Sequence, residues 1–175
     1  YWAKGEDCPV VMTFGQDMLL FTMSSIGLTW STSEFEVAGY MKGKPIDVIK
    51  GPITGLPIPA TAEIAIEGFS PPPSVDGRPE GPIGEWTGYY ASGSRTEPVV
   101  HIKAVYHRDD PIIHGHPPVK PPLNSWYPIP IHSTAMLWNR LEMNGIPGIR
   151  SVCMHGPGSR VIAVISIKQT HLGHA

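Results

Sequence analysis

Proline and glycine interrupt this chain so often that they decide what it can fold into, with 20 prolines and 19 glycines spread over 175 residues. Proline fixes φ and removes a backbone donor, while glycine supplies conformations that other residues avoid. Few long helices fit between such breaks. Where apolar residues are scarce, this composition leads to disorder. Here 41% of the sequence is hydrophobic, enough to build a core. The expectation is a protein of short strands and turns.

Charge narrows the function classes. Charged residues make up 16% of the chain and the net charge is −2, so there is no basic excess to neutralise a phosphate backbone. No apolar run approaches the roughly 20 residues that span a bilayer. The start, YWAKGEDCPVV, lacks both an initiator Met and the basic-then-apolar order of a signal peptide. The end, IKQTHLGHA, stops without a capping or turn residue. Both ends read as cut, and a fragment of a longer cytoplasmic protein is expected. Cys8 and Cys153 lie far apart and fit no metal-ligand spacing, which favours free thiols over a disulfide.

Residues 9–15 (PVVMTFG) read as a buried strand and 17–25 (DMLLFTMSS) as a short helix with Asp17 in its first turn. Residues 31–43 give the clearest helix start: Ser31 or Ser33 as N-cap, Glu34 and Glu36 in the first turn, Gly43 at the C-terminal stop. IDVIKG and AEIAIEGF alternate like half-buried strands. Residues 70–84 hold five prolines and three glycines, which predicts one long loop without regular structure. Residues 97–108 return to a strand pattern, and 114–130 form a proline-rich connector. A helix capped by Ser133 or Thr134 follows, ending at Gly145. Two strands joined by a Gly-Pro-Gly turn close the chain. This order favours an α+β chain dominated by antiparallel strands.

Several residues could carry chemistry. Glu80 and Glu85 flank Gly-Pro-Ile-Gly, a segment able to fold both carboxylates toward one site, where unlike surroundings split their proton affinities. Trp86, Tyr89 and Tyr90 follow as a candidate apolar wall. On spacing alone, two solvated turn residues are the better explanation of the pair. Glu34 reads first as charge complementing a helix dipole, and the Ser24–Gly27 segment could turn carbonyls toward a cation. His107, His114 and His116 raise a zinc reading, but no further ligand stands at zinc-site spacing. Gly156–Ser159 lacks the spacing of a phosphate-binding loop. Lys168, at a strand end, could reach a phosphate or be merely solvated.

Three stretches in order, SEFEVAGYMKGKPIDVIKG, IPATAEIAIEGF and PEGPIGEWTGYY, resemble the middle region of the UbiD family, reversible decarboxylases that use prenylated FMN. VISIKQTHLGHA resembles a further family segment. The resemblance implies a split β-barrel flavin-binding domain, related to flavin reductases, over residues 1–125. Residues 126–175 would be the linker and beginning of an α/β C-terminal domain, through which such proteins form homo-oligomers. It also implies that Glu80 and Glu85 are the two glutamates of an Arg…Glu…Glu motif, Glu85 delivering the proton after CO2 departs. Glu34 would ligate a divalent metal, Mn2+ or Mg2+, that bridges to the cofactor phosphate. Met23, Ser24 and Ile26, with the glutamate, would bind K+, and Lys168 would contact the phosphate.

The motif's arginine, and an Asn and a His of the metal shell, fall in the family well upstream of the glutamate matched by Glu34. They are absent from the 33 residues that precede it here. The chain alone is therefore expected to be a poor enzyme. The implied substrate is an aromatic or α,β-unsaturated carboxylic acid, with CO2 as co-product, and Trp86 hints at a flat ring. The alternative is a non-catalytic flavin- or metal-binding module, or a scaffold subunit of a multisubunit carboxylase.

Overall fold

A computed structural model describes residues 1–28, 30–85, 88–115, 128–155 and 161–173. The chain divides into two units, one of residues 1–81 and 93–115, the other of residues 82–92 and 116–175. The mixture of short helices with small antiparallel sheets agrees with the α+β expectation.

In the first unit, β1 (Cys8–Phe14) carries Val10, Val11 and Thr13, whose branched side chains suit a pleated strand. It pairs antiparallel with β4 (Ile64–Ser70), Cys8 opposite Ser70 and Phe14 opposite Ile64. The other edge of β4 pairs with β7 (His101–His107), so β4 is the centre of a three-stranded sheet. The register shifts between Glu67 and Gly68. Gly68 is required there, because a Cβ would collide with the His101 carbonyl and the Val100 side chain. The N-terminal turn is tied to the end of β4 by the Trp2 indole, which donates to the Ser70 carbonyl at 2.8 Å.

Asp17 caps α1 (Met18–Ser24) by accepting from the Leu19 and Leu20 amides, and its other oxygen pairs with Lys42 at 2.6 Å. Ser33 and Glu36 form a capping box at the start of α2 (Glu34–Lys42), and Gly43 closes it in the left-handed conformation at φ 74°. The two helices bury Leu20, Met23 and Ala38 together, with Ile26, Phe35 and Ile46 packed around them. Next comes a hairpin of β2 (Val48–Lys50) and β3 (Pro57–Pro59). Its burial falls on β3, where Ile58 is buried, while β2 is exposed along its length rather than half-buried.

Residues 70–84 are not all loop. β5 (Gly77–Glu80) pairs with β6 (Arg95–Pro98) as a separate two-stranded ribbon. Pro79 is tolerated because a ribbon has outer edges that need no amide donor. Residues 97–108 are likewise not one strand: β6 ends at Pro98 and β7 begins at His101.

In the second unit, α3 (Pro128–Met143) begins ahead of the expected caps. Prolines at 128 and 130 fall in the first turn, where the missing amides have no intrahelical partner in any case. Thr134 instead accepts from the Met154 amide at 3.0 Å and so fastens the helix to β8 (Ile149–His155). β8 pairs antiparallel with β9 (Ile162–Ile167), and Val152 is buried beneath the helix. The expected boundary at residues 125 and 126 and the Gly-Pro-Gly turn lie outside the described residues.

Candidate active site and its relatives

The predicted cation ligands lie on and beside α1 and α2, which pack against each other. Met23 is fully buried in the shared cluster, Ile26 packs on that cluster, and Phe35, next to Glu34, packs there too. The C-terminal end of α1 and the N-terminal start of α2 therefore meet. Carbonyls in the last turn of a helix have no intrahelical donor. The Met23 carbonyl accepts from the Ile26 amide at 3.1 Å. Ser24 is exposed and donates its hydroxyl to the Phe21 carbonyl at 2.7 Å. Glu34, the first residue of α2, is exposed, and its carboxylate has no ion-pair partner among the described residues. Oxygen donors in this arrangement suit hard cations. Among the described residues no group of three or more His, Cys, Asp or Glu could hold a metal.

Glu80 ends β5, exposed, and Glu85 lies half-buried in a tight turn of the second unit. That turn is held by the Glu85 amide donating to the Tyr89 carbonyl and the Gly88 amide to the Glu85 carbonyl, both at 2.9 Å. A bridge between Gly84 and Tyr90 flanks it. Tyr89 and Tyr90 are 78% and 72% exposed. Trp86 lies outside the described residues. Lys168 follows β9 in the second unit, exposed, its amide bonded to the Gly148 carbonyl at 2.7 Å.

Among the described residues the histidines form no metal-holding group. His114 meets Phe21 edge-on at 5.3 Å, and His107 bonds through Nδ1 to the Arg108 carbonyl. His116 lies outside the described residues. His132 is held below its ordinary pKa by burial on α3.

Two residues escaped the sequence reading. Arg95 stands directly across the ladder from Glu80, and Glu97 across from Arg78. One face of this ribbon thus carries two acids and two arginines, with the Arg95 guanidinium paired to Glu97. Only the register reveals it, because Glu80 and Arg95 are distant in sequence. The second is Glu67, fully buried. Alternation in AEIAIEGF marks it as solvent-facing, but on β4 the face of Ala65 and Glu67 is the buried one, and Ile64 and Ile66 are half-buried. Desolvation pushes its pKa up, and hydrogen bonds from Thr54, Tyr106 and Ile53 outweigh that and hold it below the ordinary glutamate range. The Tyr106 hydroxyl is pushed up in turn by the carboxylate it serves. Beside them a groove of about 360 Å³ opens, lined by Lys50, Ile58, Ala65, Tyr106 and Arg108.

Comparison with known proteins accounts for most of the chain. Residues 1–121 match the family model described as UbiD, the 3-octaprenyl-4-hydroxybenzoate carboxy-lyase Rift-related domain. The phenolic acid decarboxylase of Bacillus subtilis is 33% identical over 98% of this chain, which corresponds to 36% of that protein. The open form of the vanillic acid decarboxylase of Sedimentibacter hydroxybenzoicus matches 99% of the chain, 36% of its own, with TM-score 0.86 and 28% identity. An evolved dimeric form of the UbiD-class enzyme HmfF from Pelotomaculum thermopropionicum, in complex with prenylated FMN, gives TM-score 0.83 at 29% identity. That match covers 99% of this chain and 40% of that one. The chain spans a little over a third of the length of these relatives. With the family model matched over more than half of its residues, this chain belongs to the UbiD family.

Proposed function

We propose that this chain is the central part of a prenylated-FMN-dependent decarboxylase acting reversibly on an aromatic or α,β-unsaturated carboxylic acid. The observation that carries this reading is its likeness, across almost its whole length, to a UbiD-class enzyme solved with that cofactor. Prenylated FMN, when bound, supplies the electron sink that lets a carbon–carboxylate bond break. The sheet around β4 would form part of a split barrel holding it, and the whole protein would form homo-oligomers through segments other than those described.

The residues here would divide the remaining work. Glu34 would give one carboxylate oxygen to Mn2+ or Mg2+, and Lys168 would meet the cofactor phosphate. Ser24, Ile26 and Met23, at the negative end of α1, would offer backbone oxygens to K+. Glu85 would hold a proton on its carboxyl group and deliver it to the substrate carbon that loses CO2. Glu80 would stay ionised beside an arginine supplied from elsewhere in the protein, with Arg95 as a second cation across the ladder.

The test is substitution in the full-length enzyme. Glu85→Gln should lower turnover by at least about a hundredfold, the lower range for a general acid, with the flavin spectrum retained. Near-normal turnover would overturn the assignment of Glu85. Glu34→Ala should release metal and flavin together, and full flavin occupancy in that variant would count against its role.

A further inference from the structure

A buried carboxylate that serves neither the proposed chemistry nor the surface needs another explanation. Glu67 is such a group. On β4 it lies opposite Val11 of β1 and Ala104 of β7, and its side chain engages the turn of residues 51–56 that joins β2 to β3. Oε1 accepts from the Thr54 amide at 2.8 Å and the Thr54 hydroxyl at 2.6 Å. Oε2 accepts from the Ile53 amide at 3.2 Å and the Tyr106 hydroxyl at 2.8 Å. The Thr54 hydroxyl itself accepts from the Leu56 amide at 3.3 Å. Gly51 permits the approach, since a Cβ there would run into the carboxylate.

An ionised carboxylate offers about four acceptor sites, and four donors fill them. A proton on either oxygen takes up an acceptor site, so it has to displace a backbone amide or force the Tyr106 or Thr54 hydroxyl to turn and accept, and protonation therefore weakens closure of the turn. We propose that Glu67 is an acid-released latch: ionised, it fastens the 51–56 turn to the β4–β7 pair, and protonated, it lets that turn leave the sheet. Few other charges face it. Tyr106 on β7 is a partner, and Lys50, the last residue of β2 before the turn, lines the adjoining groove. Arg108 and Glu63, at the end of β7 and before β4, pair with each other at 3.2 Å. The β1 residues on the same side by alternation, Pro9, Val11 and Thr13, carry no charge.

The sign follows from the lowered folded pKa. The latch is shut through the neutral range, and its contribution is lost as the pH falls through that folded value, below the ordinary glutamate range. Release would also alter the groove, because Lys50 and Ile58 of its lining belong to the same hairpin.

The test is amide hydrogen exchange on the full chain between neutral and acid pH, corrected for the intrinsic pH dependence of exchange. Protection at Ile53 and Thr54 should fall on acidification at least tenfold more than at the β1–β4 ladder amides. Tyr106→Phe removes one donor and should move the midpoint of that loss to higher pH. Glu67→Gln should remove the extra protection at neutral pH. Protection at Ile53 and Thr54 that tracks the ladder throughout, or a midpoint unmoved in Tyr106→Phe, would overturn the latch.

Discussion

Asp17 shows how much one side chain can hold here. It caps α1 through Oδ1 and reaches Lys42 of α2 through Oδ2, so a single residue joins the two helices on and beside which the predicted cation ligands lie. The hydrogen bond from Lys42 is the largest cause of its lowered pKa; desolvation opposes it, and the Leu19 and Leu20 amides add to it. Its stabilising effect is therefore present above the ordinary aspartate range and fades as the pH falls through the lowered folded value. Asp17→Ala should cost about 1 kcal/mol at neutral pH, as caps of this kind do, measured by urea denaturation. The difference between variant and wild type should shrink in acid. Asp17→Asn keeps the cap and loses the ion pair, so it should fall between them. Asp17 was legible as a first-turn acid, and its second partner was not, because Lys42 lies on the next helix.

Whole elements were readable where local chemistry alone decides them. The capping box at Ser33 and Glu36 and the stop at Gly43 set both ends of α2, and no tertiary partner is needed to explain either. Gly43 gives a clean measure of this. A Cβ at that position would meet nothing within 4 Å, so Gly43→Ala tests only the left-handed backbone at φ 74°. It should destabilise the first unit by about 1–2 kcal/mol, read from thermal or urea unfolding. A neutral result would mean that the helix end rearranges at no cost. Elements set by pairing were harder to read. The ribbon of β5 and β6 was hidden because Pro79 argues against a strand until its partner is known. The start of α3 was misplaced because Ser133 and Thr134 look like caps, although Thr134 is occupied with β8. Glu67 was hidden for a related reason: the buried face of β4 is the one that carries Ala65 and Glu67, while Ile64 and Ile66 are half-buried, so alternation of apolar residues points the wrong way. The candidate site divides in the same way. Glu34, Glu80 and Glu85 stand out through sequence resemblance, whereas Arg95 emerges only from register.

At the scale of the whole molecule, the two units differ in how much they bury. The first has a helix-pair core and a central strand with no exposed residue. Among the described residues of the second, Val152 is the buried hydrophobic residue, while Val161, Ile162, Val164 and Ile165 are all between 41% and 57% exposed. A two-stranded hairpin is marginal in water without further strands or a packed helix, and here α3 packs on β8 with little contact to β9. Apolar strands open on both faces are typical of sheets that are covered on both sides in the complete fold. This agrees with a chain that spans 36% of its Bacillus relative. Studied alone, the 175-residue chain should therefore show uneven protection. Amides of β8 and β9 should exchange at least about tenfold faster than those of β1 and β4, since local opening is easiest where few apolar contacts resist it. In the full-length protein the β8–β9 amides should gain protection more than the β1–β4 amides do. Equal protection in the isolated chain would show that α3 alone is sufficient to hold the second sheet.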